Sequence, residues 1–258
     1  MSFDATAFLQ TEAGRLAYRQ TDGETGKAGL VWFGGLKSDM LGGKATAVHA
    51  AAIKDGRSCL RFDYTGHGES DIAFEKTTVT DWRRDALAMI DAKIDGPQIF
   101  IGSSMGGWMS LLAALARPEK VKGLVLIAPA PDFTEKLMWA GFSRDIKDEI
   151  ETTGQWMRPS PYDDGPYPIT KALIESGRDW LITDNPIDLD NIPVRILQGV
   201  EDDAVPWRYA LDLMDKITSD DMQYHLIKDG DHRLSRDQDV DLLVETVLKL
   251  ANQVDAAS

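Results

Sequence analysis

Residues 99–110 read IFIGSSMGGWMS, a short apolar run followed by two adjacent serines among glycines. One register of this stretch gives the pattern Gly-x-Ser-x-Gly, and it runs from Gly102 through Ser104 to Gly106. The apolar run predicts a strand and the residues after Ser104 predict a helix, so the serine lies on a sharp turn between them. Small residues two positions before and after it relieve the crowding of such a turn. We therefore predict that Ser104 is a nucleophile.

The same alternation of short apolar runs ending in turns with longer amphipathic stretches continues along the chain. Six runs predict strands: LVWFGG, CLRFDYTGHG, IFIGSSMGG, GLVLIAPAP, VRILQG and QYHLIKDGDH. Helical patterns cover roughly residues 45–54, 80–93, 104–116, 207–217 and 237–252. AFLQTEA and GRLAYRQTD predict an antiparallel hairpin at the sheet edge. The predicted fold class is α/β, with a mostly parallel central sheet flanked by helices.

One long segment interrupts this alternation. Residues from about 133 to 184 connect two predicted strands through helical pieces and several prolines, and a connection of about 50 residues is unusually long. Such insertions are commonly lids or binding loops. We expect a single domain over residues 1–258 with a helical cap at about 133–184. The apolar cap residues suited to an acyl chain or an aromatic ring are Met138, Trp139, Phe142, Trp156, Met157 and Tyr162.

Composition excludes several classes of partner. The chain has 28 Lys and Arg against 42 Asp and Glu, and its net charge of −14 repels nucleic acid and anionic lipid. The single Cys59 cannot form an internal disulfide. No window approaches the ~20 apolar residues of a membrane span, and the first residues lack the basic start and apolar run of a secretion signal. We therefore predict a cytoplasmic protein with no nucleic-acid partner and no membrane span, and we leave the oligomeric state open.

A serine hydroxyl is a weak nucleophile at neutral pH, so it needs a neighbouring base and a carboxylate that orients the base. The chain has four histidines. His232 follows the last predicted strand and precedes the last predicted helix, which favours it as the base. His49 and His225 lie inside a predicted helix and a predicted strand. His67 lies in a glycine-rich turn, where shaping of the loop is the favoured role.

The orienting carboxylate is expected in the loop after VRILQG, which reads VEDDAVP. The spacing Asp-x-x-Val-Pro, in which valine and proline begin the next helix, favours Asp202, with Asp203 as second choice. Asp132 is a further alternative, because a carboxylate at its strand end could also reach the histidine. The chain order Ser104, Asp202, His232 is the order that this strand-turn-helix architecture requires.

Two backbone N–H groups are expected to stabilise the oxyanion that forms during attack. One belongs to Met105, the residue after the nucleophile. The other is expected in the loop WFGGLKSD, where Gly34 and Gly35 let the backbone turn towards the site and make the Leu36 N–H the best candidate. Gly35 is also expected to contact the substrate. The residues that follow in this loop either line the site or face water: Lys37, Ser38 and Asp39. This chemistry needs no metal and no organic cofactor.

The motifs GSSMGG, RFDYTGHGESD, GVEDDAVP and GDH resemble those of the α/β-hydrolase-fold serine hydrolases, over nearly the whole chain. IGSSMGGWMSLLAALARPEKV, EIETTGQWMRPSPY, PVRILQGVEDDAVPW and GDHRLS are similar to its mitochondrial abhydrolase-domain members, described as acyl-protein thioesterases and acyl-glucuronide esterases. The resemblance implies Ser104 as nucleophile, Asp202 as acid and His232 as base. Because no transit peptide is recognised before the domain, the mitochondrial location is not carried over.

Residues and resemblance together predict a serine hydrolase of carboxylic esters or thioesters that works through an acyl-enzyme intermediate. The expected substrate is a small-molecule ester or thioester, or an acylated protein. Hydrolases of carbon–carbon bonds and aminopeptidases use the same three residues and are alternatives. A binding protein that keeps the fold without turnover is the alternative from another class. Dehalogenases and epoxide hydrolases are disfavoured, because both have aspartate at the position of Ser104.

Overall fold

The computed structural model describes residues 5–160 and 165–257. Within these ranges one eight-stranded sheet has the order β1-β2-β4-β3-β5-β6-β9-β10, and β7 and β8 form a separate pair. The strands are β1 Ala7–Thr11, β2 Gly14–Thr21, β3 Gly29–Phe33, β4 Cys59–Phe62, β5 Gln98–Ser103, β6 Val121–Ile127, β7 Gln155–Arg158, β8 Tyr167–Thr170, β9 Val194–Gly199 and β10 Met222–Ile227. The helices are α1 Gly43–Lys54, α2 Val79–Lys93, α3 Met105–Ala116, α4 Arg144–Thr153, α5 Lys171–Arg178, α6 Trp207–Met214 and α7 Asp237–Ala256. Short helical turns cover Phe74–Lys76, Pro118–Lys120 and Thr134–Trp139.

The large sheet is mostly parallel, as predicted. The β1–β2 hairpin and the β2–β4 pair are antiparallel, and the other neighbouring strands of this sheet run parallel. Every residue of β3, β4 and β9 is buried, because helices cover both faces of the sheet. In β3, Val31 and Phe33 face the core layer with α2 and α3, whereas Leu30 and Trp32 face the layer with α1 and α7. The predicted α/β fold class is confirmed.

Two helices end at different residues than their sequence patterns predict. The pattern predicts α6 as far as residue 217, but α6 ends at Met214. The chain then pairs Ile217 with Ile187, and Ile187 donates its N–H to the Lys216 carbonyl at 2.7 Å. Helix α7 continues beyond residue 252 because Val254 is buried in its last turn. Tertiary contacts therefore decide both ends.

The inserted segment at 133–184 contains an antiparallel β7–β8 pair as well as helices, whereas the sequence predicts helical pieces. Its prolines hide the strands from pattern analysis, yet Pro168 fits in β8 because a two-stranded sheet leaves one edge of each strand unpaired. Ile169 and Leu173 join the core layer of α2 and α3. The indole N–H of Trp108 donates to the Trp180 carbonyl at 3.2 Å. The segment therefore packs against the layer of α2 and α3, and its action as a cap stays a prediction.

Candidate active site

Ser104 lies between β5 and α3, at the carboxyl end of the parallel strands. Its backbone angles are φ 54° and ψ −116°, a conformation that costs a residue other than glycine on the order of 1–3 kcal/mol. Three hydrogen bonds hold the turn. The Ser104 N–H donates to the Ile127 carbonyl at 2.8 Å, and the Ser104 carbonyl accepts from Gly107 and Ala130 at 2.9 and 3.1 Å. The fold therefore fixes the direction of the Ser104 side chain.

The glycines around Ser104 are required by close backbone contacts. A Cβ atom at Gly106 would lie 2.0 Å from the carbonyl oxygen of Phe33. A Cβ atom at Gly102 would lie 2.4 Å from the carbonyl oxygen of Gly106. The start of α3 thus touches the ends of β3 and β5, which leaves no room for a side chain at either position.

The substitution Gly106→Ala is expected to destabilise the protein by more than about 3 kcal/mol, because the new methyl group displaces the backbone of β3 or α3. Urea denaturation measures this free energy of unfolding. Gly141→Ala is the control, since a Cβ atom at Gly141 has nothing within 4 Å. The control is expected to change stability by less than about 1 kcal/mol. Equal stability of the two variants would contradict the close contact.

The structure brings the three predicted catalytic side chains together. The distance from His232 Nε2 to Ser104 Oγ is 3.0 Å, and the distance from His232 Nδ1 to Asp202 Oδ2 is 2.8 Å. The Asp202 side chain is fully buried, and its Oδ1 accepts the N–H groups of Ala204 and Val205 at 2.9 and 2.7 Å. The carboxylate accepts a hydrogen bond from the Nδ1–H group, so Nε2 can accept a hydrogen bond from the Ser104 hydroxyl.

The loops that carry the base and the acid are bound to each other, because β9 and β10 are neighbours in the sheet. The Glu201 N–H donates to the Gly230 carbonyl at 2.9 Å. A Cβ atom at Gly199 would lie 2.2 Å from the same oxygen, so the loops are in direct contact. Gln198, which is absent from the predicted site, donates its Nε2 to Asp202 Oδ2 at 2.8 Å. An amide at the carboxyl end of a buried strand, just before the acidic loop, is the signal for this residue.

Neither alternative to Asp202 contacts His232 among the described residues. Asp203 is exposed. The Asp132 side chain is fully buried, and its carboxylate accepts the N–H groups of Ile182 and Thr183, each at 2.9 Å. Asp132 therefore joins the two ends of the inserted segment.

The predicted oxyanion donors lie beside the nucleophile. A Cβ atom at Gly35 would be 3.6 Å from Ser104 Cβ, so the loop after β3 borders the turn. Among the described residues, no acceptor binds the N–H of Leu36 or of Met105. Both groups are therefore available to a substrate oxygen, and their role stays a prediction.

A cavity of about 580 Å³ opens in front of Ser104 and His232, and Gly35, Leu36 and residues of the inserted segment such as Tyr167 line it. This volume is within the range of small-ligand sites. Other residues predicted to contact substrate are not among the described lining residues: Met138, Trp139, Phe142, Trp156 and Met157. Tyr162 lies outside the described residues.

These predicted cap residues pack within the inserted segment or face solvent. The rings of Phe142 and Trp156 meet edge to face at 5.3 Å. The Arg178 guanidinium lies 5.1 Å from the centre of the Trp139 ring, and Met157 is exposed. Apolar composition therefore does not identify which side chains face the cavity.

His67 is buried among three aromatic rings near the site. Its ring lies 5.9, 5.6 and 5.4 Å from those of Tyr64, Phe74 and Trp82. Its Nδ1 lies 3.2 Å from the Thr65 carbonyl oxygen. Burial lowers the pKa of His67 to about 4, so the imidazole is neutral near neutral pH.

The buried His67 predicts a loss of stability in acid. Between pH values of about 4 and about 6.5 the unfolded chain binds the extra proton, so acidification lowers the free energy of unfolding, by up to about 3 kcal/mol for this group. The substitution His67→Phe keeps an aromatic ring at this position, and the new ring does not bind a proton. We expect its urea-denaturation stability to fall less than that of the wild type between about pH 7 and about pH 4.5. Equal falls in the two proteins would exclude this contribution.

Similar proteins are known in mammals. The human palmitoyl-protein thioesterase ABHD10, mitochondrial, is 38% identical over 240 residues, which are 93% of this chain and 77% of the human protein. The protein of the same description from Pongo abelii is 39% identical over 240 residues, with the same shares of the two chains.

The predicted cytoplasmic location is wrong, because the mammalian relatives that match nearly the whole chain are named as mitochondrial. Import signals are separate segments that do not contribute to the folded domain. The residues of the folded domain are therefore a poor guide to the compartment of a protein.

In the part of the chain that the structure describes, no helix is long and apolar enough to cross a bilayer. The same residues hold no cluster of side chains suited to a metal ion.

Solved structures and a family pattern match the architecture. The mouse alpha/beta hydrolase domain-containing protein 10 superimposes with a TM-score of 0.89 at 37% identity, covering 97% of this chain and 99% of the mouse chain. A protein from Agrobacterium vitis S4 gives a TM-score of 0.91 at 36% identity, covering 96% and 98% of the two chains. The sequence pattern of the Alpha/beta hydrolase family matches residues 29–246. The chain therefore belongs to the α/β hydrolase family.

Proposed function

We propose that the protein is a serine hydrolase that cleaves carboxylic esters and thioesters by transferring the acyl group to water. The observation that carries this proposal is the hydrogen-bonded series from Ser104 through His232 to Asp202. Ser104 Oγ lies 3.0 Å from His232 Nε2, and His232 Nδ1 lies 2.8 Å from Asp202 Oδ2. Ser104 itself lies on a strained turn. Relatives that match nearly the whole chain are named thioesterases, which supports the choice of thioesters beside esters.

In the first step His232 Nε2 accepts the hydroxyl proton while Ser104 Oγ attacks the carbonyl carbon. The carbonyl oxygen becomes negatively charged and accepts hydrogen bonds from the N–H groups of Leu36 and Met105. His232 then gives the proton to the departing oxygen or sulfur. The acyl group remains on Ser104 as an ester.

In the second step water replaces the leaving group. His232 takes a proton from the water, whose oxygen attacks the acyl carbon, and then returns the proton to Ser104 Oγ as the acid leaves. The buried Asp202 carboxylate keeps the proton of the neutral imidazole on Nδ1 and stabilises the imidazolium formed in each step. The oxyanion donors and the base act in both steps.

Hydrolysis of p-nitrophenyl esters of increasing chain length, beside matched acyl thioesters, tests the proposal. We expect turnover of both classes and rapid labelling of the wild type by a fluorophosphonate, with labelling lost in Ser104→Ala. A folded wild type that cleaves neither class and resists labelling would instead support a ligand-binding protein. Turnover confined to a dienoic diketone or to an aminoacyl amide would support a carbon–carbon hydrolase or an aminopeptidase.

A further inference from the structure

The cavity in front of Ser104 has an excess of positive charge. Among the described residues that line it, Lys37, Lys44 and Arg233 are cationic and one, Asp39, has a carboxylate. Asp39 Oδ1 accepts the N–H of Leu41 at 2.8 Å and so stabilises its own loop. The chain as a whole has a net charge of −14. A cationic cavity on an acidic protein concentrates anionic groups at that site.

Lys37 occupies a backbone position that favours glycine. The Ser38 N–H donates to the Gly35 carbonyl at 3.1 Å, which closes a turn, and Lys37 within it has φ 59°. Its ammonium lies 5.2 Å from the centre of the Phe74 ring and 5.8 Å from that of Tyr167. No carboxylate of the described residues pairs with it. The chain thus keeps a lysine at the cavity despite an unfavourable backbone conformation.

Lys44 adds a second ammonium to the cavity. It lies in the first turn of α1, which contains no acidic residue, and its Nζ donates to the Arg233 carbonyl. The carboxylates that face it are those of Asp231 and Asp239, and Arg233 is the neighbouring cation. Burial, aided by the charge of Arg233, lowers the pKa of Lys44 to about 8, so most of the ammonium stays charged near neutral pH.

These cations line the cavity that opens in front of Ser104 and His232. The departing atom receives its proton from His232 Nε2 and must be within hydrogen-bond reach of that nitrogen. Arg233 is the next residue in the chain, and Lys44 contacts its carbonyl group. Lys37 follows Leu36, one of the proposed oxyanion donors, and lines the same cavity. A leaving group that occupies this cavity therefore lies close to positive charge.

We propose that this cavity selects esters and thioesters whose leaving group has a carboxylate or phosphate, and that Lys37 is the residue that determines this specificity. The inference rests on the proposed function and names its substrate class. Lys37 acts on binding of the anion, and the bond cleavage is that of Ser104 and His232. Its charge therefore affects KM for anionic substrates more than kcat.

Two matched pairs of thioesters test the inference. Hexanoyl-coenzyme A has phosphates, whereas hexanoyl-N-acetylcysteamine has the same thiol end without them. S-hexanoyl mercaptoacetate has a carboxylate that its methyl ester lacks. In Lys37→Gln we expect kcat/KM to fall about tenfold for an anionic member, mainly through KM, and about twofold for its neutral partner. A selective loss of kcat/KM for hexanoyl-coenzyme A identifies phosphate recognition. A selective loss of kcat/KM for S-hexanoyl mercaptoacetate identifies carboxylate recognition.

Two further variants separate charge from structure. Lys37→Arg keeps the charge and is expected to restore the preference for the anionic member. Lys122→Gln removes an exposed lysine near the start of β6, at the opposite end of the sheet, and is expected to change neither rate. If Lys37→Gln loses kcat/KM equally for the anionic and the neutral members, the inference is overturned. A wild type that cleaves only the neutral members also overturns it. A wild type that cleaves none of the four thioesters contradicts the proposed function itself.

Discussion

Replacing Ser104 by alanine is expected to lower kcat for a p-nitrophenyl ester by a factor on the order of 10⁴ to 10⁶. The variant lacks the nucleophile, so no acyl-enzyme forms. The oxyanion donors and the binding cavity remain and support only residual turnover. Steady-state hydrolysis measures the loss, and mass spectrometry with a slowly deacylating ester detects the acyl group on the wild type.

Ser103→Ala is the matched control, because it removes the adjacent hydroxyl at the end of β5. In the described structure the contact to His232 Nε2 is made by Ser104 Oγ and not by Ser103. We expect this variant to lose less than about tenfold in kcat. A loss in Ser103→Ala as large as that in Ser104→Ala would contradict the assignment of the nucleophile. Urea denaturation of both variants confirms that each is folded.

Asp202→Asn is expected to lower kcat by about 10⁴ with a small change in KM. The N–H groups of Ala204 and Val205 donate to Oδ1, so the oxygen of the new amide keeps that position. Its NH₂ group then replaces Oδ2 and donates to His232 Nδ1. Nε2 must therefore have the remaining imidazole proton and cannot accept one from Ser104. The same steady-state assay measures this loss.

The neighbouring Asp203→Asn is the control for charge in this loop, because Asp203 is exposed. It is expected to change kcat by less than about twofold. Equal rates for the two variants would contradict the role of Asp202. Urea denaturation of both variants checks that each is folded.

The sequence determined those features whose causes are local. The strained turn at Ser104 needs small residues at Gly102 and Gly106, and that requirement is visible in a short motif. Alternating strands and helices predicted the parallel sheet, since a buried strand must be apolar on both faces. The positions of Asp202 and His232 followed from loops at the ends of strands, because the carboxyl ends of parallel strands meet at one edge.

Only the tertiary structure decided which side chains face the cavity. The cap aromatics looked suited to a substrate, yet Phe142 and Trp156 pack on each other. Two of the cations at the cavity, Lys37 and Lys44, come from the loop before α1 and from its first turn, whereas Arg233 comes from the loop after β10, far along the chain. The backbone strain at Ser104 follows from short-range sterics that a motif records. The composition of a cavity depends on how distant segments pack, and no local pattern specifies that packing.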